Sequence, residues 1–112
     1  MARIELVRHV AADPSSLALL LSGPTGRELW PDEAVVLGAP QRSGLGFRVD
    51  LATSAPATAR GRILIAAAAD GPVASDVRLT LSVVGDVPGL RRAAADYLDA
   101  LAVTAQARSS AA

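Results

Sequence analysis

The sequence of 112 residues contains no cysteine, no lysine and no asparagine, and it has a single histidine. Without cysteine there is no disulfide, no thiolate nucleophile and no cysteine-ligated metal site. Without lysine there is neither a Schiff-base amine nor a Walker-type phosphate loop. A serine triad or a histidine-ligated metal would have to use His9, which lies near the end of a predicted strand, where a partly exposed structural histidine is the ordinary outcome. We therefore expect no catalytic residue, no metal and no cofactor.

Aromatic side chains are also scarce, because Trp30, Phe47 and Tyr97 are the only three. Half of the residues are nevertheless apolar, at 51%, so the core must be aliphatic and rich in alanine. The longest apolar runs, residues 17–21 and 63–69, are too short to cross a bilayer. The N-terminus alternates charged and apolar residues, unlike a signal peptide. We expect a cytoplasmic protein without a membrane span.

Neither sign of charge predominates. Eleven basic residues, all arginine, balance eleven acidic ones, and the formal net charge is zero. Electrostatic binding of nucleic acid needs a clustered basic face, whereas these charges are spread along the chain. We expect no nucleic-acid partner.

The length suits one domain, which we place at residues 1–108, with residues 109–112 as a flexible tail. Strands are predicted where apolar and polar residues alternate, or where a short run is continuously apolar. Residues 53–59 have the composition of a loop. The five predicted strands are residues 3–10, 34–37, 44–53, 62–69 and 76–84.

A short helix is predicted after the first strand. Asp13 is a suitable N-cap and Pro14 suits the first helical position, while Ser22-Gly23-Pro24 ends the apolar stripe. A further helical turn is compatible with residues 27–30, and Trp30 is suited to anchor this turn-rich segment on the core.

The chain ends in a long amphipathic helix, predicted from Asp86 to about residue 108. Asp86 suits the N-cap, and Pro88 has the fixed φ that a first helical turn accepts. A helix that follows a run of strands must lay its apolar stripe on the sheet. The stripe recurs at helical spacing and consists of Leu90, Ala94, Tyr97, Leu98, Leu101 and Ala105.

This order of elements predicts an α+β fold rather than an α/β fold. The short turn between the last two strands implies that they pair antiparallel. The predicted architecture is therefore a curved antiparallel sheet of about five strands, with a short N-terminal helix and a long C-terminal helix packed on the sheet.

Two segments resemble the SRPBCC superfamily, whose helix-grip fold includes START-like and polyketide cyclase/dehydrase-like proteins. RIELVRHVAADPSSLALLLSGP, with the later LWP, is similar to that family's first strand and Ala-Asp-Pro helix start. SDVRLTLSVVGDVPGLRRAAADYLDALAVTAQAR is similar to its final strand and long C-terminal helix. Members usually have six or seven strands, and a missing hairpin would narrow or open the groove. The resemblance implies that an apolar small molecule binds between the curved sheet and the terminal helix.

The function expected from this resemblance is non-catalytic binding of a lipid or polyketide-like molecule. An enzyme of the cyclase or dehydrase type is the least favoured hypothesis, because carboxylates, tyrosine, histidine and arginine would be its only catalytic groups. The mouth of the groove is expected near residues 22–33. The predicted ligand-binding residues are Trp30, Phe47, Val49, Ile63, Ile65, Leu79, Leu81, Tyr97, Leu98 and Leu101.

Two alternatives from another class stay open. The first is an interaction module, or a homodimer with a collapsed pocket, in which the sheet offers an edge or groove to a partner chain. The second is PDZ-like peptide binding. The tetrapeptide Gly44-Leu45-Gly46-Phe47 is identical to the carboxylate-binding loop of PDZ domains, in which backbone N–H groups form a nest and the next strand accepts a peptide.

On two predicted strands, charged residues occupy the positions that alternate with the apolar ones, so they face the other side of the sheet. They are expected to form cross-strand pairs on a solvated face, each contributing about 0.2–1 kcal/mol. If that face lined a cavity instead, its arginines would be able to hold an acidic head group. The four residues are Arg48, Asp50, Asp76 and Arg78.

Overall fold

The sheet is antiparallel, and two helices cover one of its faces. The computed structural model describes residues 2–30, 35–44, 46–54, 57–69 and 71–110. In chain order its elements are β1 (Ala2–Val10), α1 (Pro14–Ser22), α2 (Pro24–Glu28), β2 (Val35–Leu37), β3 (Gln41–Ser43), β4 (Gly46–Thr53), β5 (Thr58–Ala68), β6 (Gly71–Val84) and α3 (Val87–Ser110).

Six strands pair in the order β1-β6-β5-β4-β2, and β3 pairs with β4 beside β2. The registers place Leu6, Leu79, Ile63 and Val49 opposite one another across β1, β6, β5 and β4. These inward positions of the sheet are buried or half-buried, as the alternation of β1, β4 and β6 predicts. The predicted α+β fold is confirmed, with its first strand at one edge of the sheet.

The covered face carries both longer helices. The last helix, α3, packs against β1 and β6, whereas α1 packs against β4, β5 and β6, and the two helices also touch each other. An ion pair of 3.3 Å between the Arg8 guanidinium and the Asp99 carboxylate joins β1 to α3 at the surface. One face of the sheet is therefore covered by two helices that come from opposite ends of the chain.

Both predicted helix starts are confirmed. Asp13 caps α1, because its carboxylate accepts hydrogen bonds from the Ser16 backbone N–H at 3.1 Å and from the Ser16 hydroxyl at 2.6 Å. The hydroxyl bond, more than the backbone bonds, holds the pKa of Asp13 below its usual range against a smaller opposing effect of burial. Asp86 accepts a hydrogen bond from the Gly89 N–H at 3.0 Å and begins α3 in the same way. Capping by a carboxylate satisfies N–H groups that the helix itself leaves without acceptors.

The number of strands differs from the prediction, since the described residues form six rather than about five. The additional strand is β3, whose three residues are all exposed and polar, so it has no apolar alternation to reveal it. It pairs with β4 through a tight turn that begins at Gly44, where φ is +60°. That conformation is one that glycine adopts without steric cost.

Two strands also begin earlier than predicted. β5 begins at Thr58 rather than at residue 62, and β6 begins at Gly71 rather than at residue 76. Small residues dominate both added stretches, and hydrogen bonding to neighbouring strands recruits them into the sheet despite their weak strand preference. The predicted strand start at Ala34 lies outside the described residues. So does Asp70, which belongs to the short turn predicted between the last two strands.

The helical turn after α1 is also earlier in the sequence than predicted. It forms α2 at Pro24–Glu28 rather than at residues 27–30. Pro24 follows the end of α1 but is itself a good first helical residue, because it needs no hydrogen bond for the N–H it lacks. At the other end of the chain, α3 continues as far as Ser110.

Candidate ligand-binding site

Nine of the ten predicted ligand-binding residues lie together in the buried core between sheet and helices. Each is at most 4% exposed. The tenth, Phe47, is only half-buried and lies at the margin of that core. The nine are Trp30, Val49, Ile63, Ile65, Leu79, Leu81, Tyr97, Leu98 and Leu101.

The strand registers explain why residues far apart in sequence meet here. Ile63 lies between Val49 and Leu79 on its two neighbouring strands, and Ile65 lies between Phe47 and Val77. These pairs form a continuous aliphatic floor. The apolar stripe of α3 lies above it, and all six of its residues are buried, as predicted from their helical spacing.

Two rings lie at the centre of this core. Tyr97 meets Trp30 edge to face, with ring centroids 5.3 Å apart and an interplanar angle of 61°. This arrangement suits aromatic quadrupoles and adds about 0.5–1.5 kcal/mol to the burial of the two rings. The contact joins α3 to the segment after α2, so Trp30 is the anchor that its sequence context predicts.

The Tyr97 hydroxyl is the unusual polar group of the core. The ring is 1% exposed, and within the described part of the chain no atom hydrogen-bonds its Oη. The buried aliphatic hydroxyls of Thr53 and Ser75 differ in this respect. The Thr53 hydroxyl donates to the Ala57 carbonyl at 2.9 Å, and the Ser75 hydroxyl donates to the Ala12 carbonyl at 2.7 Å. An unpartnered buried hydroxyl costs roughly 1–3 kcal/mol.

Burial raises the pKa of Tyr97 above its ordinary value, because desolvation disfavours the phenolate. The phenol is therefore neutral at physiological pH and keeps its proton. Chemically, it is a hydrogen-bond donor without an acceptor, and the other buried polar residues of the described chain, Thr53 and Ser75, carry no ionisable group.

Phe47 lies instead in a shallow surface groove that the sequence did not predict. An apolar groove of about 450 Å³ runs between the outer side of α1 and the β3–β4 hairpin. The Arg42 guanidinium lies 5.5 Å from the centre of the Phe47 ring, in cation–π geometry. The groove is lined by Ser15, Ala18, Leu19, Ser22, Pro40 and Phe47.

The PDZ-like interpretation of Gly44-Leu45-Gly46-Phe47 is wrong for this fold. Leu45 lies outside the described residues, but Ser43 pairs with Gly46, so Gly44 follows the first strand of a hairpin and Gly46 begins its second strand. Peptide addition would need a free edge on β4. That strand has β5 along one edge and β2 and β3 along the other, and between them the Gly38 N–H donates to the Asp50 carbonyl at 2.8 Å.

The charged residues that alternate with the inward apolar ones lie on the face of the sheet away from the helices. That face therefore does not line the region between the sheet and α3. Arg48 pairs with Asp50 at 2.9 Å along its own strand, and Arg78 pairs with Glu5 at 3.5 Å. His9 is exposed, and its Nδ1 lies 3.1 Å from an Asp76 carboxylate oxygen. These side chains are partly or fully exposed. The Arg78–Glu5 ion pair crosses between strands as expected, although Glu5 was not one of the predicted partners, whereas the Arg48–Asp50 ion pair lies within one strand.

No cluster of three or more histidine, aspartate or glutamate side chains among the described residues has the geometry of a metal site. The helices of the described chain all fall short of the length and apolarity that a membrane span requires.

Comparison with known proteins identifies the architecture. No model of a known protein family matches the chain, and no curated protein matches it significantly. Several solved structures match nearly all of it. The crystal structure of protein CV1439 from Chromobacterium violaceum superposes with a TM-score of 0.62 at 13% identity, covering 94% of this chain and 98% of that one.

Two further structures agree. The Aha1 dimer from Colwellia psychrerythraea matches with a TM-score of 0.55 at 15% identity, covering 94% of this chain and 96% of that one. A START superfamily protein from Mycobacterium smegmatis matches with a TM-score of 0.52 at 15% identity, covering 95% of each chain. This chain has the START-like helix-grip fold that the two sequence segments predicted.

Proposed function

We propose that this protein binds a hydrophobic small molecule between the sheet and α3, and that it does so without catalysis. The observation that carries the proposal is the Tyr97 hydroxyl, a buried donor with no acceptor among the described residues. A ligand acceptor atom reaching it would remove the cost of its desolvation. The helix-grip fold supports the same conclusion, because the space between its sheet and long helix is where the sequence resemblance implies a ligand.

The surroundings of Tyr97 narrow the ligand class. A carboxylate buried beside a single phenol would lose most of its hydration without a compensating charge. A neutral carbonyl needs only one donor. We therefore infer a ligand with an aliphatic body and a neutral ketone or ester oxygen, such as a polyketide-like or acyl-ester lipid, rather than a free fatty acid.

The test compares two ligands that differ only in the carbonyl. Trp30 is the only tryptophan, so its fluorescence reports on events beside Tyr97. Delipidated protein titrated with a long-chain methyl ketone should bind it about fivefold more tightly than the alkane of equal length, which corresponds to one net hydrogen bond of about 1 kcal/mol. In the Tyr97→Phe variant this preference should be lost or reversed, because the ketone oxygen would then be buried without a donor.

The control is Val103→Ala, which alters an exposed position on the same helix and should leave the preference for the ketone unchanged. Tyr97→Phe without ligand should be at least as stable as the wild type, because it removes an unpartnered hydroxyl. Equal affinity of the wild type for ketone and alkane, or no uptake of either, would contradict the proposal.

A second candidate function is self-association through β1. Among the described strands, β1 pairs only with β6, which leaves one edge of its nine residues unpaired. Val7, near its centre, is 60% exposed. The Colwellia protein of the same fold is described as a dimer. Two copies pairing antiparallel about Val7 would continue the sheet across a twofold axis, as isologous dimers do.

Light scattering over a range of concentrations tests this candidate. We expect a dimer that Val7→Arg converts to a monomer, because like charges directly opposite in an antiparallel pair are destabilising. Val103→Arg changes an equally exposed valine on α3 and should stay dimeric. A wild type that is monomeric throughout would remove this candidate.

The cytoplasmic location stays a prediction.

A further inference from the structure

The face of the sheet away from the helices contains a basic depression of about 300 Å³. None of the described residues that line it is acidic. Four are arginines that come from three different strands, two carry hydroxyl groups, and the last is a glycine. The lining residues are Arg3, Arg48, Arg60, Gly61, Arg62, Thr80 and Ser82.

The sheet register brings these groups into one array. Arg60 lies opposite Ser82, and Arg62 lies opposite Thr80, on the central pair β5 and β6. These four positions form a rectangle of about 5 by 7 Å, set by the spacing between paired residues and by two residues along a strand. Arg3 lies opposite Ser82 on the other side, at the edge strand β1.

The arginines of the depression differ in their partners. Arg48 pairs with Asp50, and the Arg3 guanidinium lies 3.6 Å from Glu5. Arg60 and Arg62 form no ion pair within 4.0 Å with any described residue. Asp50 is opposite Arg62 in the register, but its carboxylate is held by Arg48. Two adjacent guanidiniums are thus left with their donors directed to solvent.

We propose that this depression is a binding site for a phosphate group, free or carried on a small molecule or lipid head group. Guanidinium forks match phosphate oxygens in bidentate geometry, and the Thr80 and Ser82 hydroxyls supply further donors. A phosphate dianion would also relieve the repulsion between Arg60 and Arg62. The site is separate from the core, so it does not depend on the ligand proposed for Tyr97.

The size and surroundings of the depression favour a small anion over a polymer. Glu5 and Asp50 interrupt the same rows of the sheet, and no aromatic residue lines the depression. Single-stranded nucleic acid is bound by a continuous basic groove with stacking aromatics, which these residues do not form.

The experiment measures binding of inorganic phosphate and glycerol phosphate by isothermal titration, at ionic strength held constant with potassium chloride. We expect the Arg60→Gln/Arg62→Gln double variant to bind phosphate about tenfold or more weakly than the wild type. The matched control is Arg91→Gln/Arg92→Gln, which removes two exposed neighbouring arginines from α3 and should change the affinity less than about twofold. Circular dichroism verifies that both variants fold.

A third variant, Arg60→Lys/Arg62→Lys, separates fork geometry from charge. It keeps the charge but loses the bidentate donors, so intermediate affinity supports the proposal. Co-sedimentation with phosphatidylcholine vesicles, with and without phosphatidic acid, distinguishes a lipid head group from a soluble phosphate. The proposal is overturned if both glutamine variants lose affinity equally, or if inorganic phosphate, glycerol phosphate and vesicles all fail to bind the wild type.

Discussion

At the scale of single residues, Gly61 carries the tightest steric requirement in the central strands. It is the inward residue of β5 opposite Leu81 of β6. A Cβ atom built there would collide with the backbone carbonyl oxygen of Thr80 on the neighbouring strand. Because backbone cannot move aside as a flexible side chain can, only glycine permits this approach of the two strands.

We predict that Gly61→Ala lowers the free energy of unfolding by about 3 kcal/mol, measured by urea denaturation. The matched control is Gly38→Ala. A Cβ at Gly38 would lie 3.5 Å from the Asp50 carbonyl oxygen, which is ordinary van der Waals contact, so its stability should change by less than about 0.5 kcal/mol. Equal stability of the two variants would contradict this account of Gly61.

The sequence predicted the burial of Tyr97 but not the state of its hydroxyl. Helical spacing places Tyr97 on the apolar stripe because that spacing is a property of the helix alone. Whether an acceptor faces the hydroxyl depends on the elements opposite it, which come from distant parts of the chain. The same reason hid Gly61, since nothing next to it in sequence shows which backbone it meets.

At the scale of elements, the predictions succeeded where the signal is local. The caps at Asp13 and Asp86 fixed both helix starts, because a carboxylate and the N–H groups it accepts from lie within three residues. The strong alternation of apolar and polar residues in β4 and in the second half of β6 was also sufficient to predict those strands. β3 and the first residues of β5 were missed, because partner strands rather than their own side chains make them strands.

The tetrapeptide at residues 44–47 shows that the structure formed by a short motif depends on the strands around it. The same letters are able to form a carboxylate-binding loop or a hairpin turn, since both use the positive φ that glycine allows. The pairing of Ser43 with Gly46 selects the hairpin. Only the neighbouring strands decided between the two.

At the scale of the whole molecule, few residues titrate at alkaline pH. The pH dependence of the free energy of unfolding in that range is therefore simple to interpret. Tyr97 is the only tyrosine, and the chain lacks lysine and cysteine. Between about pH 9 and 12 it is therefore the only side chain expected to titrate. Burial raises its pKa in the folded state, whereas the unfolded chain ionises near pH 10.

The sign follows from this difference. The folded state binds the proton more strongly, so the stabilisation is fully present below about pH 10 and is lost as the pH rises toward the folded-state pKa. We predict a free energy of unfolding that falls by up to about 1.4 kcal/mol per pH unit above pH 10. The urea midpoint measures this fall, while tyrosinate absorbance should appear together with unfolding. Tyr97→Phe should show no such slope, and tyrosinate formed in a still-folded protein would contradict the prediction.

The basic depression also belongs to this scale. A net charge of zero and charges spread along the sequence argue against a long basic face. The sequence does not show the small local excess of positive charge on the open face. The arginines that create it meet only through the sheet register, and they are Arg3, Arg48, Arg60 and Arg62.

The sequence by itself determined the α+β class, the two capped helices, the inward faces of the longer strands and the resemblance to the helix-grip fold. These features depend on periodicity and on contacts a few residues apart, which the order of residues records directly. The tertiary structure alone decided the sixth strand, the unpartnered hydroxyl of Tyr97, the glycine required at position 61 and the array of arginines on the open face. Each of these depends on which distant segments lie side by side, and pairing across the sheet settles that only when the chain has folded.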